Sequence, residues 1–151
     1  MGLVSRFSHN CQLTLALNIS LEGMPLKIGR IVVLVHDYDQ AIDFYSETLG
    51  FEMIVDFTEA GQRFVHLSLP GDDVGIWFIR PDGLAKEQVG KQCLSEPLLV
   101  LYTREFEQVY KRLREKEVEI RIHPADSPHG KFLHFYDLYG NELVLVDSES
   151  L

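Results

Sequence analysis

From Leu26 onward the apolar positions change period in a regular way. Ile31-Val32-Val33-Leu34-Val35 is a β-branched run too short for a helix, which predicts a strand with both faces buried. Asp37, with Gln40 three residues on, has the spacing of a capping box, and Ala41, Ile42, Tyr45 and Leu49 recur at helical spacing before Gly50. Three strands are predicted next, at 51–57, 63–69 and 74–79, divided by the turn residues Glu59-Ala60-Gly61 and Pro70-Gly71-Asp72-Asp73. The order is β-α-β-β-β.

A second unit follows a linker at 81–96 that carries Gly and Pro. Its pattern predicts a strand at 98–102, then a helix capped by Thr103 with Phe106, Val109, Tyr110 and Leu113 as its apolar stripe. Further strands are predicted at 118–122, 132–136 and 142–146, with turns at 124–130 and 137–141. Sliding one unit over the other by 67 residues sets Val35 on Tyr102, Ile42 on Val109, Phe51 on Val118 and Ile76 on Leu143. Two copies of a unit that cannot bury its own sheet must pack around a shared interior. The expected architecture is α+β, one domain at 24–148 with units at 26–80 and 97–147.

Residues 1–23 differ from the rest: Arg6 is the only charge before Glu22, while Leu13, Leu15, Leu17 and Ile19 alternate with other residues. Gln12, Thr14 and Asn18 interrupt any signal-peptide core, so a loose extension or an added edge strand is expected there. No apolar run reaches the ~20 residues of a membrane span. With 46% hydrophobic and 25% charged residues the 151-residue chain has the composition of a folded domain. A net charge of −9 argues against nucleic acid and anionic membrane as partners. Cys11 and Cys93 have neither CxxC spacing nor paired histidines nearby, which suits a reducing cytoplasm and indicates neither a disulfide framework nor zinc.

Phe44-Tyr45 before Leu49-Gly50-Phe51, and Asp137-Leu138-Tyr139-Gly140-Asn141 before the last strand, in two β-α-β-β-β units, resemble the vicinal oxygen chelate superfamily. That group includes glyoxalase I, extradiol dioxygenases, fosfomycin-modifying enzymes and bleomycin-binding resistance proteins. The resemblance implies a glyoxalase-like fold in which each unit curls into a half-barrel around a shared cavity, and it implies pairing as a homodimer. It also implies a divalent metal held by His, Glu or Gln on the first and last strands of each unit. Carried onto this chain, those positions are Arg30, Trp77, Pro97 and Val144, none of which offers a metal donor. Neither a metal nor another cofactor is therefore expected.

Strand alternation from those four positions places Arg30, Val32 and Leu34 on the inner face, with Gly75, Trp77 and Ile79. The same rule adds Pro97, Leu99 and Leu101, then Glu142, Val144 and Val146. Arg30, Trp77, Glu142, Leu34, Ile79, Leu99, Leu101 and Val144 are the expected ligand-binding residues. Arg30 beside Trp77 offers a fork for a carboxylate or phosphate and a ring to stack on; alternatively Arg30 reaches the rim or pairs with Glu142 while Trp77 fills the core. Under the 67-residue offset His66 and His134 fall on opposite faces of equivalent strands and so do not share a metal. No catalytic residue stands out, since no nucleophile elbow or oriented triad is visible.

The function expected from these residues is metal-independent binding of a small hydrophobic or aromatic anion, as in the bleomycin-binding resistance proteins. The alternatives are a glyoxalase-like lyase or isomerase with an atypical active site, and a structural module whose interior is filled.

Overall fold

The computed structural model describes residues 26–128 and 130–148. The extension at 1–23, with Cys11 and Asn18, and His129 in the last unit lie outside the described residues. Two four-stranded mixed sheets form the framework. In the first, β1 (Arg30–Leu34) pairs in parallel with β4 (Gly75–Ile79), which continues antiparallel to β3 (Gln62–Ser68) and then β2 (Glu52–Glu59). In the second, β5 (Leu99–Thr103) pairs in parallel with β8 (Glu142–Asp147), followed by β7 (Gly130–Tyr136) and β6 (Ile120–Ser127). No described helix is long and apolar enough to cross a membrane.

Helix α1 (Tyr38–Asp43) starts where Asp37 leaves the extended region and accepts the Gln40 amide at 2.9 Å, as the capping spacing requires. It continues into a π turn, Phe44–Thr48, before Gly50 ends it. Helix α2 (Phe106–Glu115) turns Phe106 and Leu113 into the core. Its cap differs from expectation: the residue before the helix is Glu105, and Thr103 instead receives the Glu105 amide at 2.9 Å, ordering the entry without serving as the N-cap. The turn expected at 124–130 is also shorter. β6 runs on to Ser127 because Pro124 falls at a register shift in an edge strand, where a missing N–H breaks no ladder.

One hydrophobic core joins the units on the helix side of both sheets, with Val33, Tyr45, Leu67 and Phe78 from the first unit and Leu113, Leu133, Phe135 and Leu143 from the second. Polar ties, one of them buried and two half-buried, cross the same boundary. Tyr45 donates to Asp137 at 2.9 Å, and the Tyr139 hydroxyl accepts from the Asp37 amide at 3.0 Å and donates to its carbonyl at 2.8 Å. Gly90 sits so close to Tyr139 that a Cβ would lie 1.8 Å from its carbonyl oxygen, and its φ of 76° also favours glycine. The linker thereby docks on the 137–141 turn.

The repeat does not keep one offset. Val32 opposes Trp77 and Val100 opposes Val144, so the first strands correspond at 68 residues, whereas β4 and β8 correspond at 67. The π turn supplies the difference: Phe51 bonds back to Tyr45 (i→i−6), while Val118 bonds back to Leu113 (i→i−5). Leu99 and Leu101 consequently oppose Leu143 and Leu145 and pack into the helix-side core, which corrects the inner-face assignment of those two residues. Val100 and Tyr102 take the inner face instead, at 50% and 56% exposure.

Candidate ligand-binding faces

The inner face of the first sheet is built by alternation across four strands. Arg30, Val32 and Leu34 on β1 lie beside Gly75, Trp77 and Ile79 on β4, and His66 on β3 lies beside Trp77. Across β2 and β3 the ladder pairs Phe57 with Phe64. Three aromatic side chains form a nearly parallel row: Phe57 on Phe64 at 5.1 Å and 16°, then Phe64 beside Trp77 at 6.4 Å and 19°. His66 meets the indole edge-on at 5.5 Å. The wall is open, with Phe57 about half exposed and Val32 at 37%.

Arg30 lies at the end of this wall. Gly75 lacks the side chain that would collide with the Leu67 carbonyl and press on the Arg30 stem, whose Cδ would lie 3.3 Å from an added Cβ. The guanidinium donates to the Gly29 carbonyl at 2.6 Å and makes no ion pair among the described residues. Burial, and next the charge of Arg30, hold the His66 imidazole below its ordinary pKa, so it is neutral near pH 7. Its Nε2 is buried without a hydrogen-bond partner among the described residues.

On the second sheet Glu142 and Val144 face inward with His134, which opposes Val144 across the ladder. The Glu142 carboxylate is 6% exposed and is held by Arg121 on one oxygen and His134 Nδ1 on the other. Burial alone would raise its pKa, but the hydrogen bonds from Arg121 and His134 outweigh that and keep it below the ordinary value. Glu142 is thus committed locally and does not neutralise Arg30. A cavity of about 120 Å³ lies beside Arg121, Tyr136 and Glu142, and a larger one of about 510 Å³ opens between Tyr38, Arg63 and Arg80. Neither is lined by Phe57, Phe64 or Trp77, and the wall is an open face of the sheet. Arg63 in the larger cavity is bound by Asp56 and Asp39, while Arg80 there lies over the Tyr38 ring at 5.8 Å.

Of the eight expected residues, Arg30, Leu34, Trp77 and Ile79 share one face, Glu142 and Val144 share the other, and Leu99 and Leu101 are in the core. His66 and His134 are equivalent positions on β3 and β7, both facing inward, contrary to the opposite faces expected of them. Phe64-Val65-His66-Leu67 and Phe132-Leu133-His134-Phe135 align at 68 residues, and this repeated Phe-x-His was the signal in the chain. Phe57, Phe64 and Arg121 were also missed as inner or site-lining residues.

The divalent metal implied by the resemblance does not suit these side chains. Guanidinium, indole, proline and valine stand at the expected positions, and the register puts Leu98, equally without a donor, opposite Arg30 in the repeat. Among the described residues no group of three or more His, Cys, Asp or Glu is placed to hold a metal.

The model of the Glyoxalase/Bleomycin resistance protein/Dioxygenase superfamily matches residues 27–145. The chain belongs to this superfamily. An uncharacterized protein of Shewanella frigidimarina is 34% identical over 123 residues, covering 78% of this chain and 90% of that protein. Among solved structures, UcmS2 superposes with a TM-score of 0.72 at 26% identity, covering 83% of this chain and all of that one. TnmS3, an antibiotic binding protein from Streptomyces sp. CB03234, superposes with a TM-score of 0.71 at 26% identity, covering 84% and 100%.

Proposed function

We propose that this superfamily member binds a small hydrophobic or aromatic anion on the inner face of its first sheet, without a metal and without altering the ligand. The observation that carries the reading is an Arg30 guanidinium with no carboxylate partner among the described residues, at the end of the Phe57, Phe64 and Trp77 row. An exposed guanidinium at the end of an apolar wall offers a fork for an anionic head, and parallel rings favour a flat body. Similarity to the antibiotic-binding TnmS3 supports binding over catalysis. The reading includes a homodimer, because β2 and β6 are edge strands whose backbone a second copy can cover. It also includes a cytoplasmic setting, in keeping with two cysteines and no disulfide framework.

Trp77 is the chain's single tryptophan, so its fluorescence reports on this wall. A panel of aromatic carboxylates and their methyl esters should quench it, the carboxylates at lower concentration, with the ligand recovered unchanged. Equal binding of acids and esters would remove the anion from the reading, and consumption of the ligand would replace binding with catalysis. Sedimentation of monomer alone at micromolar concentration would remove the dimer.

A further inference from the structure

The second sheet carries an arrangement that the anion-binding reading does not use. Glu142 is ionised and buried, so it has only acceptors to offer, and the His134 nitrogen facing it must carry a proton. In a neutral imidazole the other nitrogen, Nε2, is then an acceptor with its lone pair fixed in direction. Arg121 on the second carboxylate oxygen restrains Glu142 and keeps it charged. His134 Nε2 makes no bond to a described residue and is not enclosed; 18% of the side chain reaches solvent. Around it stand Phe132, whose ring meets the imidazole at 5.6 Å, and Val144 and Ile122 on the flanking strands. Val100 and Tyr102 extend the same face and are half exposed.

An acceptor fixed among apolar side chains on an open face selects a ligand that brings a donor on a hydrophobic body. Among O–H donors, a phenol or enol binds imidazole better than an aliphatic alcohol, because its proton is more acidic. We propose that the inner face of the second sheet is a separate binding site for neutral hydrophobic phenols or enols, anchored by an O–H to His134 Nε2 hydrogen bond, with Glu142 and Arg121 as positioning residues. The site does not depend on Arg30 or on a charged ligand.

Protein labelled with 15N in histidine tests this, with 2-naphthol and 2-methoxynaphthalene as probes, the second carrying a methyl group in place of the hydroxyl proton. In the free protein the His134 signals, assigned by their loss in His134→Gln, should show a protonated Nδ1 and an unprotonated Nε2. Adding 2-naphthol should move the Nε2 signal saturably toward the protonated position. 2-Methoxynaphthalene should bind at least tenfold more weakly and leave that signal in place. Glu142→Gln should weaken 2-naphthol at least fivefold without changing the weak binding of the ether, and Arg121→Gln does the same by a smaller factor where Glu142→Gln does not fold. A free protein with the proton on Nε2, equal affinity for the two probes, or no movement of Nε2 at millimolar 2-naphthol would each overturn the proposal. Because the probe is neutral and the readout is His134, these outcomes are independent of the Trp77 titrations.

Discussion

Tyr45→Phe removes one oxygen from the junction between the two units and little else. The ring is fully buried against Phe44, Phe51 and Phe78, and those contacts are retained by phenylalanine. What is lost is the 2.9 Å bond to Asp137. Burial first, and the Asp137 carboxylate second, push the Tyr45 hydroxyl well above its ordinary pKa, so it stays a donor throughout the accessible pH range. A hydrogen bond to a charged group contributes about 1.5–3 kcal/mol. The amides of Tyr139 and Asn141 and the Asn141 side chain still serve Asp137, so the carboxylate is not orphaned and the loss falls near the lower end, about 1.5–2 kcal/mol. At roughly 2–4 °C per kcal/mol for a chain of this size, thermal melting followed by circular dichroism should show a fall of about 3–8 °C. Tyr110→Phe, at an exposed 3.3 Å contact with His123, is the control and should move the midpoint little. A Tyr45→Phe midpoint indistinguishable from that of the wild type would refute the buried tie between the units.

Leu99→Ala should cost about 2–4 kcal/mol by opening the core, whereas Val100→Ala should stay within about 0.5 kcal/mol in urea denaturation; the reverse order would mean that β5 has the opposite parity. Glu142 has a folded pKa below its ordinary 4.5, so its contribution is complete above that value and is lost as pH falls through the folded one. Wild-type stability should therefore decline over that acid range more steeply than that of Glu142→Gln, and parallel pH profiles would contradict the Arg121–Glu142–His134 cluster. Gln92 receives the Leu34 amide at 2.6 Å and donates to the Val32 carbonyl at 3.1 Å, closing the free edge of β1. Gln92→Ala should cost about 1 kcal/mol and increase aggregation on storage, and unchanged behaviour in both would show the edge to be protected in another way.

Much of the fold was legible because the two periodicities are clean. Asp37 and Gln40 announced α1, and Gly50 marked its end where the structure has it. The errors share a physical origin. A single slipped residue inverts strand parity, and the π turn at Phe44–Thr48 is one such slip, invisible in an apolar stripe that tolerates it. That slip moved Leu99 and Leu101 to the wrong face; a second change of offset, in the hairpins around β3 and β7, separated His66 from His134. Arg30 and Trp77 were placed as positions that the family resemblance implies, and alternation from them along β1 and β4 crosses no such irregularity, so Val32, Leu34 and Ile79 fall on the same face. The Glu142 cluster was not readable, because its partner Arg121 lies on β6, where bulges remove the simple rule that alternate residues share a face.

The binding reading rests most directly on what Arg30 contributes. Calorimetric titration of the wild type and Arg30→Ala with the tightest aromatic carboxylate of the panel measures it. A lost charge-assisted contact of about 1.5–3 kcal/mol predicts an affinity lower by about 10- to 150-fold in the variant, with the methyl ester bound equally by both proteins. Equal affinity of the two proteins for the carboxylate would show Arg30 to be outside the site and contradict the account.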